Sequence, residues 1–147
     1  MSTQVSGALL MYKFTDGEFK FLKENISREI KRYEEVYKKD PKAIAQLEET
    51  QGIKTESLKK AFRAFDKIVN DVDEKNLIII WMTNLQRRVV QRLCTVYFQR
   101  CILIIDEYNK RIEKATTEDE RKRLEDYRDK VPIMQLFAKE LFLKLEE

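Results

Sequence analysis

Between Asn84 and Cys101 the chain reads NLQRRVVQRLCTVYFQRC, four arginines and no acid threaded through residues that would otherwise make a core. Guanidinium groups in such a run can do two kinds of work. They make bidentate contacts to phosphate or carboxylate, and they anchor protein interfaces beside aromatic side chains. At about 100° per residue on a helix, Arg88, Arg92, Thr95 and Gln99 share a narrow sector, flanked by Arg87 and Gln91. Along a phosphate backbone this strip would supply cationic donors, with Gln and Thr as further ones. Phe98 and Ile102 stand beside it as apolar anchors for a protein contact. Arg100 falls in another sector, among Val89, Leu93 and Val96, and a buried guanidinium needs an anion. Its expected partner is Glu107, two turns on in nearly the same sector, or an acid from another helix, in a structural role. The simplest alternative makes Arg87, Arg88 and Arg92 the wet edge of a central helix, paired with acids such as Asp71, Asp73 or Glu125.

Other chemistries lack their parts. Without histidine there is no Ser-His or Cys-His nucleophile pair and no imidazole zinc site. Glycines stand only at positions 7, 17 and 52, so no phosphate-cradling glycine loop exists. Cys94 and Cys101 are separated on a helix by roughly 10 Å of rise, too far for a mutual disulfide. Two reduced thiols point to a cytoplasmic, reducing setting. The acidic pairs Glu34-Glu35, Glu48-Glu49 and Asp119-Glu120 each have Lys or Arg nearby and read as solvated surface. No enzyme, cofactor, metal or small-molecule substrate is expected.

Charge and hydropathy say where such a strip would matter. The net charge of +3 is too small to imply a polyanion partner by itself. It hides an uneven distribution: Lys75 to Ile105 carries five basic residues and no acid. No window approaches the ~20 apolar residues of a membrane span, and the start has no basic leader. Abundant Lys, Arg and Glu suit ion-paired helix surfaces and would also suit a thermophilic source.

The elements that must position these residues are helical. Hydrophobic residues make up 43% and charged ones 37%, with three Gly and two Pro, a profile of helices joined by few sharp turns. The expected fold is all-α: a single domain over 1–147, five or six helices around one long central helix of about 76–114, with residues 1–13 as a flexible or extended arm. Thr15-x-x-Glu18 forms a capping box for a helix over about 16–39, although Asp16-Gly17 amid Tyr12, Phe14, Phe19 and Phe21 also signals a hairpin across 12–21. Asp40-Pro41 starts a short helix ending near Gly52. Thr55 caps the next, with Leu58, Ala61, Phe62, Phe65, Ile68 and Val69 inward. From Asn76 to Lys114 no Pro, Gly or turn cluster intervenes, and apolar residues run nearly all round, from Ile78, Leu85 and Val89 to Phe98, Ile102 and Ile105. Such a helix is enclosed by its own domain or covered by another chain. Thr117-x-x-Glu120 caps a charged helix burying Leu124, Tyr127 and Val131, and Pro132 opens a last one carrying Ile133, Phe137, Leu141, Phe142 and Leu145. Trp81 and Tyr97 read as core or interface residues rather than base-stacking platforms.

The segment QRLCTVYFQRCILIIDEY, followed by TTEDERKRL, resembles the central and following helices of GINS replication-complex subunits. The likeness covers roughly the C-terminal half, in residues common to many helices. It departs from the family where Arg100 is followed by Cys101, Ile102, Leu103 and Ile104 instead of a basic residue, and it lacks the C-terminal β-domain. It would imply a non-catalytic assembly subunit. The functional expectation is a protein-interaction, assembly or regulatory protein, self- or hetero-associating, serving transcription or replication machinery. The runner-up is a basic DNA-associating or virion-type structural protein.

Overall fold

The computed structural model describes residues 8–66, 72–73 and 75–146. The described residues are 79% helical and form five helices and one two-stranded sheet, in agreement with the all-α expectation. The elements are β1 (Leu9–Phe14), α1 (Asp16–Lys39), α2 (Ala43–Gln51), α3 (Thr55–Asp66), β2 (Ile78–Thr83), α4 (Asn84–Lys114) and α5 (Glu118–Glu146). The chain divides into two compact units, 1–93 and 94–147, so the first ten residues of α4 belong to one and the remainder to the other.

In the first unit the competing signals around Asp16 are both used, in different ways. Thr15 accepts from the Glu18 amide and Glu18 Oε1 accepts from the Thr15 amide, the reciprocal box that starts α1. The strand precedes it, and its partner is far along the chain. β1 pairs antiparallel with β2, Met11 opposite Trp81 and Tyr12 opposite Ile80. Only residues 1–7 of the expected arm lie outside the described residues; 9–14 are sheet. The α4 helix therefore begins at Asn84 and not near 76. Ile78, Ile79, Ile80 and Trp81 are β-branched or aromatic and suit a pleated surface. Upstream, the Asp73 carboxylate accepts from the Lys75 and Leu77 amides, while Asn76 takes a positive φ of 62°. That reversal brings Val72 into a bridge with Ile78. Asp73 also pairs with Lys13 at 3.2 Å, so it is not an arginine partner; Asp71, Ile68 and Val69 lie outside the described residues. A second capping box, Thr83 with Gln86, switches the chain from strand to helix.

One face of the ribbon, Tyr12 and Phe14 with Ile80 and Met82, is buried with Leu22, Ile26, Tyr33, Leu58, Ala61, Phe65 and Val90. Phe14 and Phe19 both meet the Phe65 ring, with centroids about 6 Å apart. On α3 the inward face runs through Ala64 with Phe62 only half-buried. Pro41 precedes α2 without entering it: the Asp40 carboxylate accepts from the Lys42 amide, and the helix starts at Ala43. Gly52 closes α2 at φ 71°, a left-handed conformation that costs glycine no steric penalty.

The second unit is a helical hairpin. Contacts pair Phe98 with Gln135, Tyr108 with Tyr127 and Asn109 with Arg128, so the two helices run antiparallel. The expected break at Pro132 does not occur; α5 passes through it. Proline there removes one helical hydrogen bond, at a cost of about 3 kcal/mol. The burial of Val131 on one side and of Ala138, Leu141 and Leu145 on the other holds both halves in one helix.

Candidate protein-docking surface

Within the first unit the arginines are mostly occupied by their own fold. Arg87 donates through Nε and an η nitrogen to Asn84 Oδ1 at 3.1 and 2.8 Å, and to Gln91 Oε1 at 3.3 Å. Arg92 Nε donates to the Gln51 carbonyl at 2.8 Å. That carbonyl is one of the last in α2, left without a helical partner, and a cation at a helix C-terminus also opposes the dipole. Arg92 thus ties the end of α2 to α4. Of the three, only Arg88 is exposed.

Gln51 is the centre of a polar lock that sequence reasoning missed. Its Nε2 donates to the Tyr33 hydroxyl at 2.8 Å and to Glu29 Oε2 at 3.3 Å, and its Oε1 accepts from Arg32 at 3.0 Å. The Tyr33 hydroxyl donates to the Ile53 carbonyl. Glu29, Gln51 and Tyr33 are all buried. Burial pushes the Tyr33 phenol up, against the opposing effect of its bond with Gln51. Nearby, the Thr55 amide and hydroxyl both donate to the Glu48 carboxylate and hold it below the usual range. Thr55 is therefore a donor linking α2 to α3. The only sequence signal for the lock was Glu29, Tyr33 and Gln51 falling on inward phases, where polar residues need partners.

In the second unit, Phe98, Gln99 and Ile102 lie together. With Cys94 and Thr95 they form one wall of a groove of about 470 Å³, and Ala138, Lys139, Phe142 and Leu143 of α5 form the other. The rim is apolar and open, with Ile102 47% and Leu143 50% exposed. Burial pushes the Cys94 thiol up to about 12 and also raises Cys101, with a Tyr97 hydrogen bond opposing; both free thiols are buried. Of the partners expected for Arg100, Glu107 binds Arg111 at 2.9 Å, one turn further on, where helical geometry favours the i, i+4 partner. Arg100 itself is half-buried. Sequence reasoning placed Phe142 on the apolar face of the last helix and missed Lys139 and Leu143, which join the groove only through the hairpin.

The ribbon has a second exposed apolar face, where Met11 (49%) stands opposite Trp81 (43%) beside Leu9. Among the described residues no cluster of His, Cys, Asp or Glu could hold a metal ion, and no helix is long and apolar enough to cross a membrane. No family model matches the chain, nor does any curated protein or solved structure. The GINS likeness therefore rests on the quoted residues alone.

Proposed function

We propose that this chain is a non-catalytic docking protein whose helical hairpin, 94–147, receives another polypeptide. The observation that carries the reading is the open groove walled by Phe98, Ile102, Phe142 and Leu143. Ile102 and Leu143 on its rim are each about half exposed, and exposed apolar surface of this kind marks interaction sites. Support for a polypeptide over nucleic acid comes from the first unit. Arg87 and Arg92 direct donors to protein acceptors, which leaves Arg88 as the strip's exposed cation, and one phosphate contact yields little, salt-sensitive affinity.

Affinity capture from the native host, repeated with Ile102→Asp and Phe98→Asp, tests the reading when each captured protein is reconstituted with the purified chain. A stoichiometric complex that both substitutions abolish, with helicity by circular dichroism unchanged, is the expected result. Complexes indifferent to both substitutions would overturn it, as would steeply salt-dependent retention on duplex DNA that Arg88→Ala removes.

A further inference from the structure

Resting on that docking proposal and making it specific, we infer that the groove takes an amphipathic helix of a different protein, one carrying a carboxylate that meets Lys139. The groove's walls have helical dimensions. On α4 the lining residues are Thr95, Phe98, Gln99 and Ile102, and on α5 they run from Ala138 to Leu143. The α4 wall spans two turns, roughly 10 Å of rise, and its residues repeat at the three- and four-residue spacing that lets ridges of a third helix settle between two others. A groove open along its rim suits a rod laid into it, reading i, i+3, i+4 and i+7 anchors, rather than an enclosed small ligand.

The charge on the lining selects the occupant. Lys139 is the one ionic side chain among the lining residues, and it is exposed. Every other lining residue is apolar or neutral, and no carboxylate lines either wall. A second copy presenting the same face would bring another ammonium and no acid to neutralise it. Glu140, adjacent in sequence, is turned away by roughly 100° around the helix. An acid flanking the apolar stripe of a foreign helix supplies the missing charge.

Two synthetic amphipathic peptides test this on the full chain. They share one leucine face and differ only in Glu or Lys at the flanking positions, and binding is read by fluorescence anisotropy. The expected result is saturable binding of the Glu peptide, with Lys139→Glu weakening it by about fivefold, as for an exposed pair, and strengthening the Lys peptide. Ile102→Asp and, on the opposite wall, Leu143→Asp abolish both at unchanged helicity. Equal binding of the two peptides, or indifference to Lys139→Glu, overturns the charge selection while leaving apolar docking in place. Sedimentation showing a dimer that Ile102→Asp dissociates makes a second copy the occupant and overturns the inference. Binding of neither peptide overturns helix-in-groove recognition, and the reconstituted complexes of the previous section then decide separately whether the hairpin docks at all.

Discussion

Arg92→Ala separates a structural arginine from a phosphate-reading one. The substitution removes the 2.8 Å bond from Nε to the Gln51 carbonyl and the cation at the end of α2. A hydrogen bond to a charged group contributes about 1.5–3 kcal/mol. Arg92 is half-buried, so water partly replaces it and the lower end applies. The charge at the helix terminus adds about 0.5 kcal/mol, for a loss of about 2 kcal/mol in all. With a urea dependence of about 2 kcal/mol per molar for a small domain, the unfolding midpoint falls by about 1 M. Trp81 is the chain's single tryptophan and sits on β2 of the first unit, so its fluorescence reports the transition. The matched control is Arg88→Ala, an exposed change expected to stay within about 0.5 kcal/mol. Heparin retention should not differ between Arg92→Ala and the parent chain. A variant that unfolds at the parental midpoint yet elutes from heparin at much lower salt would refute the reasoning and return Arg92 to the phosphate strip.

Gln51→Leu leaves the buried Glu29 carboxylate and the Tyr33 hydroxyl without their amide donor and should cost about 3 kcal/mol; Tyr33→Phe, which removes two bonds of that lock, should cost about 2 kcal/mol, both read from urea midpoints. The Cys94 thiol is raised to about 12 in the fold against an ordinary value near 8.5. The folded state therefore holds its proton longer, and stability present below about pH 8.5 falls as pH rises from there toward 12. Cys94→Ala should flatten the alkaline limb of a pH series of melting temperatures. Pro132→Ala restores a helical amide in the middle of α5; it should raise the hairpin's thermal midpoint, by up to about 3 kcal/mol in stability, and an unchanged midpoint would show the helix already accommodates the ring without loss.

Local chemistry settled much of the architecture from the letters alone. Thr15-x-x-Glu18 began α1 at Asp16 and Asp40-Pro41 ended it, because a cap and its termination depend on residues three or four apart. Gly52 closed α2 for the same reason, by tolerating positive φ. Residues 78–83 went the other way. IIIWMT satisfies helical and extended patterning alike, and its partner Leu9–Phe14 lies some seventy positions earlier, so only the tertiary pairing of β1 with β2 decided for strand. Pro132 reads as a boundary by its covalent geometry, yet burial on both sides outweighs one lost hydrogen bond. The arginine run showed the same division. Its helical phases were legible, and Phe98, Gln99 and Ile102 share one wall of the groove. That Arg92 would meet the Gln51 carbonyl, forty-one residues away, was not, nor was the place of Lys139 and Leu143 in the second wall. Periodicity names the face a side chain occupies; what stands opposite that face is set by contacts between distant segments, and those exist only once the chain has packed.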